Sequence, residues 1–466
     1  MNEQYNTKHV ELYEPFPFSD NSLRNDREKV YGQIYVDEVT YWDNGESGRI
    51  KVSISLVNYK MLNMEYEAIE EDKAGDTPLF FYEFIGKKTF DKDTKNFENP
   101  ILNITKLNFI SGGIDKQLFA FRIIQLGNDE EENLSVIRQY EKQLSFVGSL
   151  LFSASPILSH KVIIIVEDSA EKDNKEVYDK LKKTYDTWDS NIEKHCIKDM
   201  DVIRQEISKF FSNSVCQCVS IFNVGQANCC YCEFQNKKLF FDIGVSRSSE
   251  ELNSQLVSSA LDEIIKKDVD GVILSHWDLD HILGVCYNQK CLNQKIWFVP
   301  DFTNLYKVPR LSIKRLCNYL IKNGKSEICM INTTYSNKTL YDRNGISIYM
   351  GEPKAANGIN KMNNGGLILR LENNKNILLP GDCENSIIPN DAVKGFYDYY
   401  LISHHGSYMS DPRVRSKNGI AYISSGSITG HCIPDNGIVD KYKKVGFQYV
   451  HNTKNLKSNN KYLVKL

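Results

Sequence analysis

Within His276-Trp277-Asp278-Leu279-Asp280-His281, four side chains able to bind a metal fall inside six residues, directly after the apolar run Val272-Ile273-Leu274. Imidazole and carboxylate are the ligand types that divalent zinc or manganese take from a protein. Along an extended loop alternating residues point to one side, and the closing Asp280-His281 pair can turn to a second ion. One loop could thus serve two metals, the geometry of two-metal hydrolysis. The competing reading, a solvated Asp/His loop capping a strand, would suit a lone histidine better than four ligands at this spacing.

Several elements must position that loop. A chain of 466 residues is expected to hold two to three domains. Over 29–126 the signals are for strands: 30–36 and 50–56 alternate at period two around a turn at Asp43-Asn44-Gly45, and further apolar runs lie at 79–85, 102–110 and 118–126. Short strands with polar connections predict a sandwich or barrel. The three- and four-residue spacing of Val136, Tyr140, Leu144 and Val147 predicts a helix over 130–152. A buried strand at 161–166 and helices near 175–196 and 200–212 follow. Nothing in 1–213 looks catalytic. The expected organisation is therefore a β-rich N-terminal domain (1–127), a helical or mixed segment packing on it or linking it (128–213), and a third domain (214–466). The last opens with a hairpin near Cys216, then a helix near 250–266, then the strand before His276, which is how an αββα sandwich begins.

Charged residues at 25% and hydrophobic ones at 41% describe an ordinary globular chain. No apolar run reaches the roughly 18 residues of a membrane span. With no signal-like start at Met1, the expected location is cytoplasmic, away from any membrane. All twelve cysteines fall between Cys196 and Cys432. Cys216, Cys218, Cys229, Cys230 and Cys232 lie in strand-like sequence without a histidine or a C-x-x-C pair, so core packing as free thiols is expected over a zinc cluster. The net charge of −3 hides an acidic first half and a basic second half. Positive potential around a metal favours an anionic substrate, a phosphodiester above all, although the halves could equally neutralise one another.

Several motifs in order across roughly 216–450 resemble the metallo-β-lactamase-type hydrolase module of the ComEC competence-protein family. Asn223-Val224-Gly225-Gln226-Ala227-Asn228 is similar to its opening Asp-Val-Gly-Gln-Gly-Asp, and Asp242-Ile243-Gly244 to its Asp-x-Gly turn. His276 to His281 carries Asp278 where most of the superfamily has histidine, as that family does. Asn363-Asn364-Gly365-Gly366 is similar to its Asn-rich turn, Gly381-Asp382-Cys383-Glu384 to its Gly-Asp-x-Glu motif, and His404-His405-Gly406-Ser407 with Ser410 to its His-His-Gly-Ser-x-x-Ser segment. Gly430-His431-x-x-Pro434 is a looser match to its last element. Between His281 and His404 no histidine occurs, so the isolated third-motif ligand of many superfamily members is absent, with Asn363 or Asn364 near its place.

The resemblance implies an αββα metallo-β-lactamase sandwich binding one or two divalent ions, zinc or manganese. It implies His276, Asp278 and one of His404 and His405 on the first ion, Asp280 and His281 on the second, and Asp382 bridging them. The other of His404 and His405 would stabilise phosphoryl oxygens or protonate the leaving group, with Ser407 either donating to a non-bridging oxygen or capping its turn. Glu384 would orient a ligand imidazole, Asp242 would support the loops, and His431 would close the far side of the site or lie on the surface. DNA is the implied substrate. Lys314, Arg315 and the seven lysines from Lys441 to Lys465 are candidates to follow a phosphate backbone. The acidic N-terminal half would recruit a protein partner or regulate. Hydrolysis of a small ester, lactone or thioester, and a catalytically inactive binding protein of the same fold, are the alternatives. A part in defence against foreign DNA is a weaker expectation.

Overall fold

The structure, a computed structural model, describes residues 30–42, 47–70, 82–91, 118–127, 129–139, 145–152, 160–169, 174–246, 249–252, 254–305, 311–355, 361–426, 434–457 and 459–466. The chain divides into two compact units, residues 1–193 with 307–319, and residues 194–306 with 320–466.

In the first unit the period-two sequence produces strands that close on themselves. β1 (Val30–Trp42), β2 (Ser47–Asn58), β3 (Tyr82–Asp91), β4 (Phe119–Gln125), β5 (Ser145–Phe152) and β6 (His160–Ser169) form a barrel in the order β1-β2-β3-β5-β6-β4. Alternate residues such as Ile50, Val52, Ile54 and Leu56 of β2 point inward with Phe84, Phe121, Phe146 and Ile164. Two sequence expectations need correction. The helix expected over 130–152 ends at Gln139, and its second half is β5, paired with β3 and β6. Short apolar runs do not separate the two periods, and closing the barrel decides this one. Tyr59–Glu70, inside the span read as strands, is a helix. The strand expected at 102–110 and the turn at 43–45 lie outside the described residues.

Helix Met200–Phe210 opens the second unit, its first turn capped by the Asp199 carboxylate accepting from the backbone N–H of Asp201 and Val202. Six strands follow in chain order, β7 (Cys216–Phe222), β8 (Cys229–Phe234), β9 (Lys238–Ile243), β10 (Gly271–Ile273), β11 (Ile296–Pro300) and β12 (Glu327–Ile331), and the C-terminal strand Lys461–Lys465 joins them at the far edge as a seventh. They make one sheet in the order β12-β11-β10-β9-β8-β7 and then the C-terminal strand. The second sheet runs β13 (Lys338–Arg343), β14 (Ile346–Met350), β15 (Leu367–Glu372), β16 (Asn376–Leu379), β17 (Tyr399–Leu401), β18 (Gly419–Ile423) and β19 (Phe447–Asn452). Each sheet has a parallel half, β9 to β12 and β16 to β19.

One apolar layer joins the two sheets. Ile221, Leu239, Phe241, Ile273 and Phe298 of the first share a cluster with Ile348, Leu367, Leu369, Leu371, Ile377 and Leu379 of the second. Ile368 and Leu378, one residue out of phase, fall in a second cluster with Ile438 and Tyr442 of helix Ile438–Lys444. Strands buried on both faces read as unbroken apolar runs, which is how these look in sequence. Cys216, Cys230, Cys232 and Cys329 belong to the inter-sheet layer, and every described cysteine is free. Burial pushes the Cys196 and Cys329 thiols up to about 12 and those of Cys216 and Cys230 higher, so they stay protonated and pack as small hydrophobes. Among the described residues no helix is long and apolar enough to cross a membrane.

Leu369, fully buried between the sheets, is a direct probe of this layer. Leu369→Ala is expected to cost about 2–5 kcal/mol, read as a lower urea midpoint with the slope of the transition retained. A midpoint equal to the parent's would show that the sheets do not depend on this contact.

Candidate metal centre

The side chains converge because three loops leave the C-terminal ends of parallel strands, where open α/β sheets place their ligands. The 274–281 loop follows β10, the 380–386 loop follows β16 and the 402–407 loop follows β17. In the first, residues alternate. Trp277 turns into the core, its indole N–H donating to the Pro300 carbonyl at 2.8 Å and its ring edge-on to Phe302. Its neighbours His276 and Asp278 face the other way, with His276 Nε2 3.4 Å from Asp278 Oδ2.

Asp382 lies at the middle of the constellation. Its Oδ1 is 3.3 Å from His281 Nε2, and its Oδ2 is 3.8 Å from His276 Nε2, 3.7 Å from His404 Nε2 and 3.8 Å from His405 Nε2. His405 Nε2 is also 3.3 Å from Asp280 Oδ2. Two overlapping sets have ligand atoms close enough to share an ion: His276, His281 and Asp382, and Asp280, His281 and His405. His276, His281, His405 and Asp382 are buried, whereas His404 and Asp278 keep about a quarter of their side-chain surface at the mouth.

Each imidazole is aimed by what holds its other nitrogen. His281 Nδ1 is 2.8 Å from Asp242 Oδ2, and His405 Nδ1 is 2.7 Å from the Ser424 carbonyl. A proton on each Nδ1 satisfies these acceptors and leaves the Nε2 lone pair pointing inward. Ser275 fixes Asp242 in turn, donating its N–H at 2.7 Å and its hydroxyl at 2.8 Å, with that hydroxyl 3.0 Å from His276 Nδ1. His404 Nδ1 meets the Ser407 hydroxyl at 2.7 Å.

The backbone is bent to achieve this. His404 and His405 both have positive φ, 48° and 55°, a region that costs a non-glycine residue energy and that recurs at functional sites. Gly381, also at positive φ, lies where a Cβ would come 2.5 Å from that of Ser275, so only glycine lets the Asp382 loop approach.

The buried ring nitrogens His276 Nε2, His281 Nε2 and His405 Nε2, together with Asp382 Oδ1, have no hydrogen-bond partner. Unsatisfied polar atoms of this kind are costly in a core unless something else binds them. The imidazole nitrogens and carboxylate oxygens of each of the two overlapping sets are a fitting donor set for a divalent ion. Burial works against the Asp382 carboxylate, but the imidazoles of His281, His405 and His404 hold it well below the usual carboxylate range. Burial likewise disfavours the His281 and His405 cations, and Asp382 with Asp242 or Asp280 outweighs it, raising both rings. Burial wins at His404 and lowers it.

The remaining candidates act as loop ties. Asn364 donates to the Lys354 carbonyl at 2.7 Å and accepts from the Glu384 N–H at 2.9 Å. The Glu384 carboxylate accepts from the N–H and hydroxyl of Ser386 and from the Ser410 N–H. The residue seen to orient an imidazole is instead Asp242, read from sequence only as a support; its position at a strand end in an Asp-x-Gly turn was the available signal. Ser275 and Ser424 had none. The opening motif braces the site from behind, Asn228 donating its N–H to the Asp280 carbonyl at 3.0 Å. Lys314 is paired with Asp189 at 2.7 Å and Arg315 is buried. Lys441, Lys443 and Lys444 sit on helix Ile438–Lys444, Lys454 on the short turn Thr453–Asn455, and Lys461 and Lys465 on the C-terminal strand, where Lys461 pairs with Glu263. His431 lies outside the described residues.

No protein-family model matches the chain, and no curated protein matches it. Among solved structures it is similar to CmlA, a diiron β-hydroxylase from Streptomyces venezuelae, at 12% identity with a TM-score of 0.33, over 53% of this chain and 54% of that one. It is similar to a mutant form of CmlA at 12% identity and a TM-score of 0.34, with the same coverage. A diphosphatase of the PhnP family is matched at 10% identity and a TM-score of 0.34, over 54% of this chain and 100% of that one. The chain thus matches about half the length of CmlA.

Two outcomes are expected. Asp242→Asn keeps the shape but removes the charge that holds the His281 proton on Nδ1. Zinc or manganese affinity should fall about 10–100-fold by calorimetry, and an unchanged affinity would remove Asp242 from the site. The second concerns pH. A raised His281 stabilises the metal-free fold below the ordinary imidazole range and loses that contribution as pH rises through its raised value. The depressed Asp382 contributes above the ordinary carboxylate range and loses it on acidification. Metal must displace the proton from His281 and His405, so affinity should climb as pH rises from the ordinary imidazole range toward their raised values, with proton release seen as a buffer-dependent binding heat. An affinity flat over that interval would contradict this assignment.

Proposed function

We propose that the two-sheet unit is a metal-dependent hydrolase of the metallo-β-lactamase type, cutting phosphodiesters and most readily those of DNA. The observation that carries it is the set of buried Nε2 atoms of His276, His281 and His405, none of them hydrogen-bonded, gathered around Asp382. His276 and Asp278 would hold one divalent ion, zinc or manganese, and Asp280, His281 and His405 a second, with Asp382 between them and His404 left for proton transfer. Such ions lower the pKa of water toward neutrality and polarise a phosphoryl oxygen. The chain's own groups do the rest. Asp280, almost fully buried, would orient the attacking water. His404 is pulled down by burial and so is neutral near neutral pH; from the mouth it can take a proton at Nε2 and return it to the leaving oxygen. Ser407 holds the His404 ring and fixes which nitrogen works.

A net positive charge over residues 214–466 supports an anionic substrate. The domain of residues 1–127 with the segment 128–213 would then serve recruitment of a protein partner or regulation, in a cytoplasmic role that includes defence against foreign DNA.

Bis-p-nitrophenyl phosphate and single- and double-stranded DNA, each with manganese or zinc, test the reading. Metal-dependent cleavage is expected, reduced at least about 100-fold in Asp280→Ala and His281→Ala. Cleavage no faster than in those variants would overturn it. Turnover of a chromogenic ester with the phosphodiesters untouched would transfer the site to small esters, lactones or thioesters. Elemental analysis without a transition metal would favour a binding role.

A further inference from the structure

Large aromatic side chains are rarely left in water on a rigid backbone without a use, because an exposed ring forgoes its burial energy. Tyr408 is such a ring, 70% exposed and three residues beyond His405. The loop carrying it does not fray. On one side the Ser407 N–H donates to the His404 carbonyl at 2.9 Å, and the Gly406 carbonyl accepts from the Asp435 N–H at 2.7 Å. On the other, Met409 is buried and the Ser410 N–H is held by the Glu384 carboxylate at 2.7 Å. The backbone is therefore pinned before and after a side chain that is itself open.

Two further features show which way the ring is used. Lys441 Nζ lies 5.2 Å from its centroid, fastened to the Met409 carbonyl at 2.7 Å and 3.7 Å from the exposed Asp411 carboxylate, which a phosphate would have to displace, so a cation is fixed beside the ring. Tyr408 also adjoins Ser407, whose hydroxyl touches His404, the cluster imidazole with most surface at the mouth. One residue of chain spans only about 3.8 Å and the phenol reaches further, so a group stacked on Tyr408 would lie within a nucleotide's length of the metal cluster.

We propose that Tyr408 and Lys441 form a subsite that takes the base of the nucleotide next to the scissile phosphate. The ring stacks on the base, and the ammonium meets the adjoining backbone phosphate. Stacking of this kind is tolerant of sequence and favours single strands, whose bases are free to turn outward. Tyr408 is thus a specificity-determining residue. The assignment deepens the phosphodiesterase reading and rests on it.

Binding and cleavage are read separately so that the two can fail apart. A fluorescent oligothymidylate and its abasic counterpart, of equal length and charge, are titrated with wild-type protein, Tyr408→Ala, Tyr408→Phe and Lys441→Gln in calcium, by anisotropy. Wild type should prefer the base-bearing strand by on the order of ten-fold. That preference should vanish in Tyr408→Ala and persist in Tyr408→Phe, while Lys441→Gln weakens both strands alike. Unfolding midpoints equal to wild type confirm that the variants are folded. Equal affinity of wild type for both strands, or a preference that survives Tyr408→Ala, overturns the subsite. If bis-p-nitrophenyl phosphate is still cleaved in those cases, the proposed function stands without it. Base preference with no cleavage of any phosphodiester would keep the subsite as a binding device and remove the hydrolase reading.

Discussion

One fully buried carboxylate, that of Asp242, constrains the arrangement of the centre. Its carboxylate is satisfied by the backbone and hydroxyl of Ser275 and by the His281 ring. Three bonds to one carboxylate fix the place where β9 ends, the place where the metal loop leaves β10, and the orientation of a ligand ring inside it. Because Ser275 also accepts from the Leu367 N–H at 2.8 Å, the same point stitches the first sheet to the second. Asp382 arrives from that second sheet, so the distance between the two halves of the centre is set by a hydrogen-bonded junction.

Around that junction the molecule accepts local cost for geometry. His404 and His405 occupy left-handed backbone in succession, and Gly381 passes so close to Ser275 that a side chain is excluded. Such conformations persist where neighbouring contacts over-determine them. Here the Ser424 carbonyl, the Ser407 hydroxyl and the Gly381 carbonyl all grip the 404–407 turn. The result is a centre whose like and unlike charges balance only when packed together: carboxylates hold protons on imidazoles, and imidazoles hold the carboxylate ionised.

Much of the centre is legible in the sequence. His276, Asp278, Asp280 and His281 announce themselves by spacing, and Asp382 with the His404-His405 pair follow from motif order. Long-range register is what sequence could not show. Nothing local in Ser275 or Ser424 marks them as partners of Asp242 and His405, because those contacts depend on how β9, β10 and β18 lie side by side. In the first unit the failure was of a different kind. Residues 145–152 carry apolar side chains compatible with helix or strand, and the choice is made by β3 and β6, more than fifty residues away on one side and adjacent on the other. The helix Tyr59–Glu70 hid because it follows the strand Ser47–Asn58 with no residue between them.

The sulfurs lying between the sheets have a temporal consequence. Folded, they are greasy, protonated and unreactive. Unfolded, the same atoms return to ordinary acidity and become nucleophiles toward one another and toward oxidants. A chain opened in air would accumulate crosslinks that no longer fit the layer they came from, so its durability without reductant would be a matter of rate.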